Sequence, residues 1–208
     1  MIHFTVEQML TYLGPGIGSG VTLLIGHYLK IRRIKLYKKQ QDPVAECVKN
    51  NILVEHKLDE ILKEYQADRV YLLQFHNGGN FYPSGRSVLK FSVFYEKTMT
   101  GIPSVREKYQ NIPVSIFGKF FNYLSENSIT YYQDIKKATV DDFDIRGFSR
   151  DTDAKSSYCA ALKTIDDKFM GVLIVHYIKK KKALSETEIK EILLSATMIG
   201  STISNQAK

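Results

Sequence analysis

The sequence predicts an α+β fold, with helices flanking an antiparallel sheet and one transmembrane helix before it. Three observations predict this fold. Residues 157–178 form two segments rich in β-branched and aromatic residues, joined by the polar turn Asp166-Asp167-Lys168, which is typical of an antiparallel hairpin. Residues 185–204 carry apolar residues at helical spacing. Residues 9–29 contain no Asp, Glu, Lys or Arg.

Net charge is concentrated in one short segment. The 208-residue chain carries +7, and six of these charges lie in residues 30–39, so the remainder of the chain carries +1. The six are Lys30, Arg32, Arg33, Lys35, Lys38 and Lys39. A basic run directly after an apolar stretch favours contact with a membrane surface over contact with nucleic acid.

Residues 9–29 are long enough, as a helix, to cross a hydrocarbon core of about 30 Å. The basic run follows the apolar run, which fits a cleavable signal peptide badly. By the positive-inside rule, we expect a single-pass protein of the cell (inner) membrane, with the N-terminus outside and the C-terminal domain cytoplasmic.

Glycines in the apolar stretch leave its structure open. Gly16-x-x-x-Gly20 matches the small-residue pattern through which membrane helices pack closely. Glycines and Pro15 also weaken a helix, so a re-entrant or surface-lying segment is the alternative. Residues 30–42 form a juxtamembrane linker, in which each basic side chain near anionic lipid contributes about 1 kcal/mol. The alternative is that this basic run serves only as a signal for membrane topology.

A helix is predicted from Pro43 to about Tyr65, with Asp42 as its N-cap. One apolar face has the spacing of a short coiled-coil seam and comprises Cys47, Val54, Leu58, Ile61 and Tyr65. This face serves either to cover the sheet or to pair with a second copy, so we expect a homo-oligomer.

The sequence from residue 69 to residue 182 predicts short elements joined by loops. Residues 69–76 read as a strand closed by Asn77-Gly78-Gly79, and the apolar run 70–73 indicates a central strand buried on both faces. Further elements are a strand at 88–96, a helix at 114–125, a strand at 129–135 and an acidic loop at 139–156. Residues 179–182, four lysines, are predicted to be a solvated link.

Ser185 and Glu188 form a capping box at the start of the last helix. The order of strand, acidic turn, FMGVL strand, charged link and terminal amphipathic helix resembles the end of a GAF domain, and ADRVYLLQFHNG resembles its first strand. The resemblance covers roughly residues 43–205, so the segments are 1–29 (anchor), 30–42 (linker) and 43–208 (GAF-like domain). It implies a sensor and dimerisation fold that binds a small molecule or nothing.

The resemblance also implies a pocket over one sheet face, beneath a helix and loops. The residues expected to bind a ligand there are His76, Asn77, Tyr82, Phe94, Tyr109, Phe117, Tyr131, Tyr158 and His176. The alternative is that the aromatic residues are core and that Asn77 serves only the turn.

Residues with catalytic or metal-binding chemistry are sparse. His76, His176 and Glu96 include metal-ligand types, but their spacing demands no metal, and we predict none. Cys47 and Cys159 form no CxxC pair, which indicates a reducing compartment and a buried structural thiol at Cys159. The chain has no nucleophile elbow, P-loop, dinucleotide fingerprint or zinc-protease motif, and the sequence does not identify a cofactor.

Two functional hypotheses follow. In the first, the chain is a membrane-anchored cytoplasmic sensor or binding module that acts through a small-molecule ligand or protein partner, without catalysis. In the alternative, it is a small viral or bacterial structural or membrane-active protein that oligomerises through its glycine-rich helix. An enzyme is the least favoured class, and it would depend on His76, Cys159 or His176. A GAF-like fold by itself does not determine function.

Overall fold

A computed structural model describes residues 24–33, 43–81, 83–137 and 152–204 of the chain. The chain divides into two compact units, Met1–Cys47 and Val48–Lys208. The helices are α1 (24–33), α2 (Pro43–Glu64), α3 (Gly118–Asn127) and α4 (Glu186–Ser204). The strands are β1 (Arg69–Asn80), β2 (Ser87–Thr98), β3 (Ile112–Pro113), β4 (Ile129–Tyr132), β5 (Ser156–Lys163) and β6 (Phe169–Tyr177). Short 3-10 helices span Val114–Phe117 and Ile135–Lys137.

The six strands form one antiparallel sheet in the order β3-β2-β1-β6-β5-β4. β1 and β6 lie at its centre, and residues 70–73 of β1 are buried on both faces, as the continuous apolar run predicted. The predicted β5–β6 hairpin is also confirmed, with Ser156 opposite Tyr177 and Leu162 opposite Gly171.

Helices α2 and α4 cover one face of the sheet, which we call the helical face. Alternate residues of β1, β5 and β6 point into this layer, since successive side chains of a strand face opposite sides. The buried residues of α2 are Val54, Leu58, Ile61 and Leu62, with Tyr65 just after it. Four of these five belong to the predicted coiled-coil seam, so in the monomer that seam packs against the sheet.

The N-terminus of α4 has the predicted capping box. The Ser185 backbone N–H donates to Glu188 Oε2 at 2.7 Å, and the Glu188 N–H donates to Ser185 Oγ at 3.3 Å. The two residues therefore satisfy each other's exposed backbone donors and set the point at which the helix begins.

The other face of the sheet, which we call the α3 face, is covered by α3 and by the loop that joins β2 to β3. Phe120, Phe121 and Leu124 of α3 are buried against it. Val105 and Tyr109 of the loop are buried in the same apolar cluster.

Three predicted boundaries were wrong. β1 was expected to end at His76, but its pairing with β2 continues to Asn80 through an irregularity after Asn77, and Gly79 takes a φ of +104°. The predicted 114–125 helix begins as a 3-10 turn and becomes α-helical only at Gly118. The strand expected over 129–135 ends at Tyr132 because residues 135–137 turn into a 3-10 helix.

The N-terminal predictions fall mostly outside the described residues. Gly16, Gly20 and all but the last six residues of the 9–29 segment lie there, as do Lys35, Lys38 and Lys39. Lys30, Arg32 and Arg33 are exposed on α1. Within the described ranges, no helix has the length and apolar character needed to cross a membrane.

Substitution of two helical glycines tests the packing of α4 against the sheet. A Cβ at Gly200 would lie 2.3 Å from the carbonyl oxygen of Lys163, whereas a Cβ at Gly118 meets nothing within 4 Å. We expect Gly200→Ala to lower the free energy of unfolding by about 1–3 kcal/mol through overpacking. Gly118→Ala, the matched control, is expected to be neutral or to raise it by up to about 1 kcal/mol. Urea denaturation measures both, and equal effects would contradict the close approach of α4.

Candidate functional site

The α3 face of the sheet is apolar at one end. Phe75 of β1 packs edge-to-face against Phe121 of α3 and Phe169 of β6, with each pair of ring centroids 5.0 Å apart. Phe91 of β2 meets Phe121 in the same way at 5.4 Å. Edge-to-face contacts bring the positive edge of one ring to the negative face of another, so they add to the stabilisation from burial.

The other end of the same face is polar. Five polar side chains lie there on the three central strands β1, β6 and β5, each at most 1% exposed. We call them the polar row: Arg69, Tyr71, Ser157, Cys159 and His176. Sheet register brings them together, because Arg69 and Ser157 each lie opposite His176 on either side of it. Burying so many polar groups is costly unless they are bonded, so their partners are informative.

Arg69 connects the sheet to two loops. Its Nη1 donates to the carbonyl oxygen of Thr152 at 3.0 Å, and its Nη2 donates to that of Pro103 at 2.6 Å. Its Nε lies 3.5 Å from Glu96 Oε1 on β2, and both side chains are almost completely buried. A buried ion pair of this kind stabilises a structure only when further hydrogen bonds satisfy both groups. Here both Nη atoms of Arg69 and the Glu96 carboxylate are hydrogen-bonded, whereas Arg69 Nε makes only the 3.5 Å ion-pair contact.

Glu96 in turn holds the loop after β2. Its carboxylate accepts hydrogen bonds from the Val105 N–H at 2.9 Å, the Arg106 N–H at 3.3 Å and the Ser104 hydroxyl. A carboxylate that accepts several hydrogen bonds needs no water around it. The loop is thereby fixed over the polar row.

Tyr71 and His176 form the centre of the polar row. The Tyr71 hydroxyl lies 3.3 Å from His176 Nε2, and the two rings meet edge to face. Burial, assisted by the positive charge of Arg69, lowers the pKa of His176 to about 3. Burial also raises the pKa of Tyr71 far above its ordinary value. Both groups are therefore neutral at physiological pH.

Ser157 and Cys159 form the third part of the row, on β5. The Ser157 hydroxyl lies 3.4 Å from Cys159 Sγ. Burial raises the pKa of the Cys159 thiol to about 12, although the contact with Ser157 opposes that rise. The thiolate, which is the nucleophile, is therefore scarcely populated near neutral pH. The predicted burial of Cys159 is confirmed.

The residues expected to bind a ligand are divided between the two faces. His176, Tyr109 and Phe117 lie on the α3 face. Tyr158 lies in the core of the helical face, where its hydroxyl donates to the Lys182 carbonyl oxygen at 2.8 Å, and Tyr131 stacks on its ring at 5.7 Å. The structure therefore does not bring these two groups together.

The remaining expected residues lie near the β1–β2 hairpin. His76 Nε2 contacts Ser92 Oγ at 2.9 Å, and strand alternation places His76 on the face opposite Phe75. Phe94 sits at a register irregularity with its ring beside that of His76. Asn77 is exposed, and its Oδ1 accepts from the Gly79 N–H at 3.0 Å. Tyr82 lies outside the described residues.

Sequence reasoning missed Arg69, Tyr71 and Ser157 as members of the site. Arg69 and Tyr71 alternate with the apolar Val70 and Leu72, and Ser157 and Cys159 are likewise two residues apart. This period-2 pattern of polar residues was the available signal. The structure does not bring the candidate metal ligands together, because His76 and His176 face opposite sides of the sheet. No group of metal-ligand residues occurs among the residues that the structure describes.

The Arg69–Glu96 pair can be tested with a double-mutant cycle. We expect Arg69→Met or Glu96→Gln to lower the free energy of unfolding by about 3–5 kcal/mol, because each leaves the partner buried without its counterpart. The double variant should lose less than the sum of the two single losses. Urea denaturation of the four proteins checks this, and strictly additive losses would contradict the coupling.

A second prediction concerns pH. Below about pH 6.5, the ordinary pKa of histidine, the unfolded chain binds a proton at position 176 that the folded chain does not bind until about pH 3. Stability should therefore fall as the pH falls through this window, by up to about 1.4 kcal/mol per pH unit from this residue. His176→Gln should reduce the slope of unfolding free energy against pH between about pH 7 and 5, above the range in which most carboxylates titrate. Identical slopes in the two proteins would refute the assignment.

Comparison with known proteins finds similarity in structure alone. The sequence matches no protein-family model and no curated protein. The structure is similar to the blue-light absorbing form of the PixJ GAF domain of Thermosynechococcus elongatus, with a TM-score of 0.59 and 20% identity over 75% of this chain and 85% of that chain.

Two further structures agree. A far-red cyanobacteriochrome photoreceptor gives a TM-score of 0.62 at 12% identity, over 86% of this chain and 100% of that one. The phycocyanobilin-bound GAF domain of a cyanobacterial phytochrome gives 0.60 at 18% identity, over 84% of this chain and 92% of that one. The chain therefore has a GAF-like fold.

Proposed function

We propose that this chain is a membrane-anchored cytoplasmic sensor or binding module, which acts by binding a ligand or protein without catalysis. The observation that carries the proposal is the polar row on the α3 face. Polar groups there are buried under loops that Arg69 and Glu96 hold in place. The similar phytochrome GAF domain is bound to phycocyanobilin, which supports a ligand role for this fold.

The electrostatics of the polar row favour an uncharged small molecule with hydrogen-bonding groups. The charge of Arg69 is balanced by Glu96, and Tyr71, Cys159 and His176 are neutral at physiological pH. A charged ligand would be left without a counter-charge in a buried site, which is strongly unfavourable. A neutral ligand would meet the hydroxyl, thiol and imidazole groups as hydrogen-bond partners.

The same titration behaviour supports binding over catalysis. A general acid or base works best with a pKa near the operating pH, and that of His176 is lowered to about 3. Cys159 is held as a thiol, which also argues against covalent attachment of a ligand at this residue.

Exposed apolar residues on the helical layer support self-association. Val48, Ile52 and Leu53 are exposed on α2, and Leu194 and Met198 are exposed on α4. We propose that these surfaces pair with a second copy of the chain, so that ligand binding acts through the dimer.

Membrane anchoring is proposed from residues 9–29 and the basic run after them. The exposed Lys30, Arg32 and Arg33 on α1 support contact with anionic lipid. In this arrangement the N-terminus is outside and the GAF-like domain is cytoplasmic.

Native mass spectrometry of the full chain, extracted in mild detergent, tests the ligand proposal. We expect a non-covalent adduct of defined mass in the wild type. Tyr71→Phe and Ser157→Ala each remove a hydroxyl from the polar row, and they should lower the adduct occupancy. Tyr158→Phe removes a buried hydroxyl from the helical face and serves as the matched control.

The ligand proposal would be rejected if the wild type showed only the mass of the bare chain. It would also fail if the control lowered occupancy as much as the polar-row variants. The same spectra report the number of copies, and a monomer at every concentration would count against the dimer.

A further inference from the structure

The β1–β2 hairpin extends beyond β6, and β3 pairs with it at its base, at Lys90 and Phe91. β6 pairs with β1 only from Arg69 to Gln74, whereas β2 continues to pair with β1 as far as Asn80. Asn80 lies six residues past Gln74, or about 20 Å at the usual rise of a strand. We call the projecting part, residues 76–81 and 83–90, the ribbon.

Backbone hydrogen bonds join the described residues at the tip of the ribbon, and two of the ribbon's apolar side chains are exposed. The Phe81 N–H donates to the Arg86 carbonyl oxygen at 2.8 Å, and the Gly85 N–H donates to the Phe81 carbonyl oxygen at 2.8 Å. Phe81 is 58% exposed and Leu89 is 57% exposed. A two-stranded hairpin in water is only marginally stable by itself. An extended ribbon with exposed apolar residues is therefore expected to have a further contact.

The charge of the ribbon itself indicates what covers it, although the β5–β6 turn at the same end of the sheet carries Asp166 and Asp167. No acidic residue occurs between Asp68 and Glu96, while Arg86 and Lys90 lie within the ribbon. The 3-10 helix that follows β3 lies beside β2 at this end, where the Phe91 and Phe117 rings are 5.7 Å apart, and it exposes Ile116. Aromatic and aliphatic residues among basic ones, without acids, are typical of segments that enter the interface of an anionic bilayer.

The direction of α2 places the ribbon at a particular end of the domain. The Tyr95 hydroxyl donates to Asn51 Oδ1, and Lys97 forms an ion pair with Glu55 at 3.1 Å. β2 and α2 therefore run in the same direction, so the ribbon projects from the end of the sheet at which α2 begins to pack. In the sequence, the basic run at 30–39 and the uncharged stretch at 9–29 come just before α2.

We propose that the ribbon inserts Phe81 and Leu89 into the interface of the anionic bilayer to which the chain is anchored. Arg86 and Lys90 then face lipid phosphates, and the domain is held in one orientation with the ribbon toward the membrane. The inference rests on the membrane anchoring proposed above, and it adds a second point of attachment on the domain itself.

The chain contains no tryptophan, so one introduced tryptophan reports a single position. Phe81→Trp places the probe at the tip of the ribbon. Tyr131→Trp is the matched control, because Tyr131 is 45% exposed and lies level with Val70, at the opposite end of the sheet. Each full-length variant is reconstituted into vesicles of phosphatidylglycerol and phosphatidylcholine, with or without brominated acyl chains.

We expect the emission of Phe81→Trp to shift to the blue and to be quenched severalfold more by brominated lipid than that of Tyr131→Trp. Adding Arg86→Glu and Lys90→Glu to the Phe81→Trp protein should reduce the quenching in anionic vesicles. The same charge reversals should have little effect in vesicles of phosphatidylcholine alone.

Other outcomes overturn the proposal in distinguishable ways. If the chain floats with vesicles but both probes are equally unquenched, the ribbon proposal fails and membrane anchoring stands. If the chain does not float with vesicles, both fail. If Tyr131→Trp is quenched more strongly, the lysine-rich end at 179–182 faces the bilayer instead. A blue shift of Phe81→Trp that persists without brominated-lipid quenching means that protein, such as a second copy, covers the ribbon.

Discussion

The ion pair between Arg69 and Glu96 is the constraint on which the α3 face depends. Both side chains are buried on the neighbouring strands β1 and β2, so neither charge is tolerable without the other. Arg69 uses its remaining donors on the carbonyl oxygens of Thr152 and Pro103, and Glu96 collects the amides of Val105 and Arg106. These hydrogen bonds connect the ion pair to the loop that follows β2 and to the segment that leads into β5. Hydrogen bonds of Tyr109 and Gln110 to Val93 hold the far part of the same loop against β2.

The two faces of the sheet have different roles. The helical face is closed by an apolar layer of α2 and α4 and provides most of the core. The α3 face combines an aromatic cluster at one end with the polar row at the other. Neutral Tyr71, His176 and Cys159 are suited to hydrogen bonding and unsuited to proton transfer or nucleophilic attack near neutral pH. This chemistry supports the proposed binding function over a catalytic one.

The two ends of the sheet also differ. The ribbon itself has aromatic and basic residues without acids, although the β5–β6 turn at the same end of the sheet carries Asp166 and Asp167. The opposite end carries the lysines at 179–182. There, Lys181 pairs with Asp134, and Asp68 accepts hydrogen bonds from the Ile178 and Lys179 N–H groups. These acids partly balance the lysines at that end, whereas the ribbon itself combines exposed apolar residues with Arg86 and Lys90.

Local patterns determined most of the architecture of the domain. Strand alternation predicted the β5–β6 hairpin, the apolar run predicted a doubly buried β1, and the Ser185–Glu188 box set the start of α4, because each depends only on neighbouring residues. The tertiary structure alone decided which side of the sheet each strand residue faces. Alternation shows which residues of one strand share a face. The pairing register between strands decides which residues of different strands lie together on the same face of the sheet. Tyr158 was therefore assigned to the pocket although it lies under α4, and Arg69 and Tyr71 were passed over although register places them beside His176.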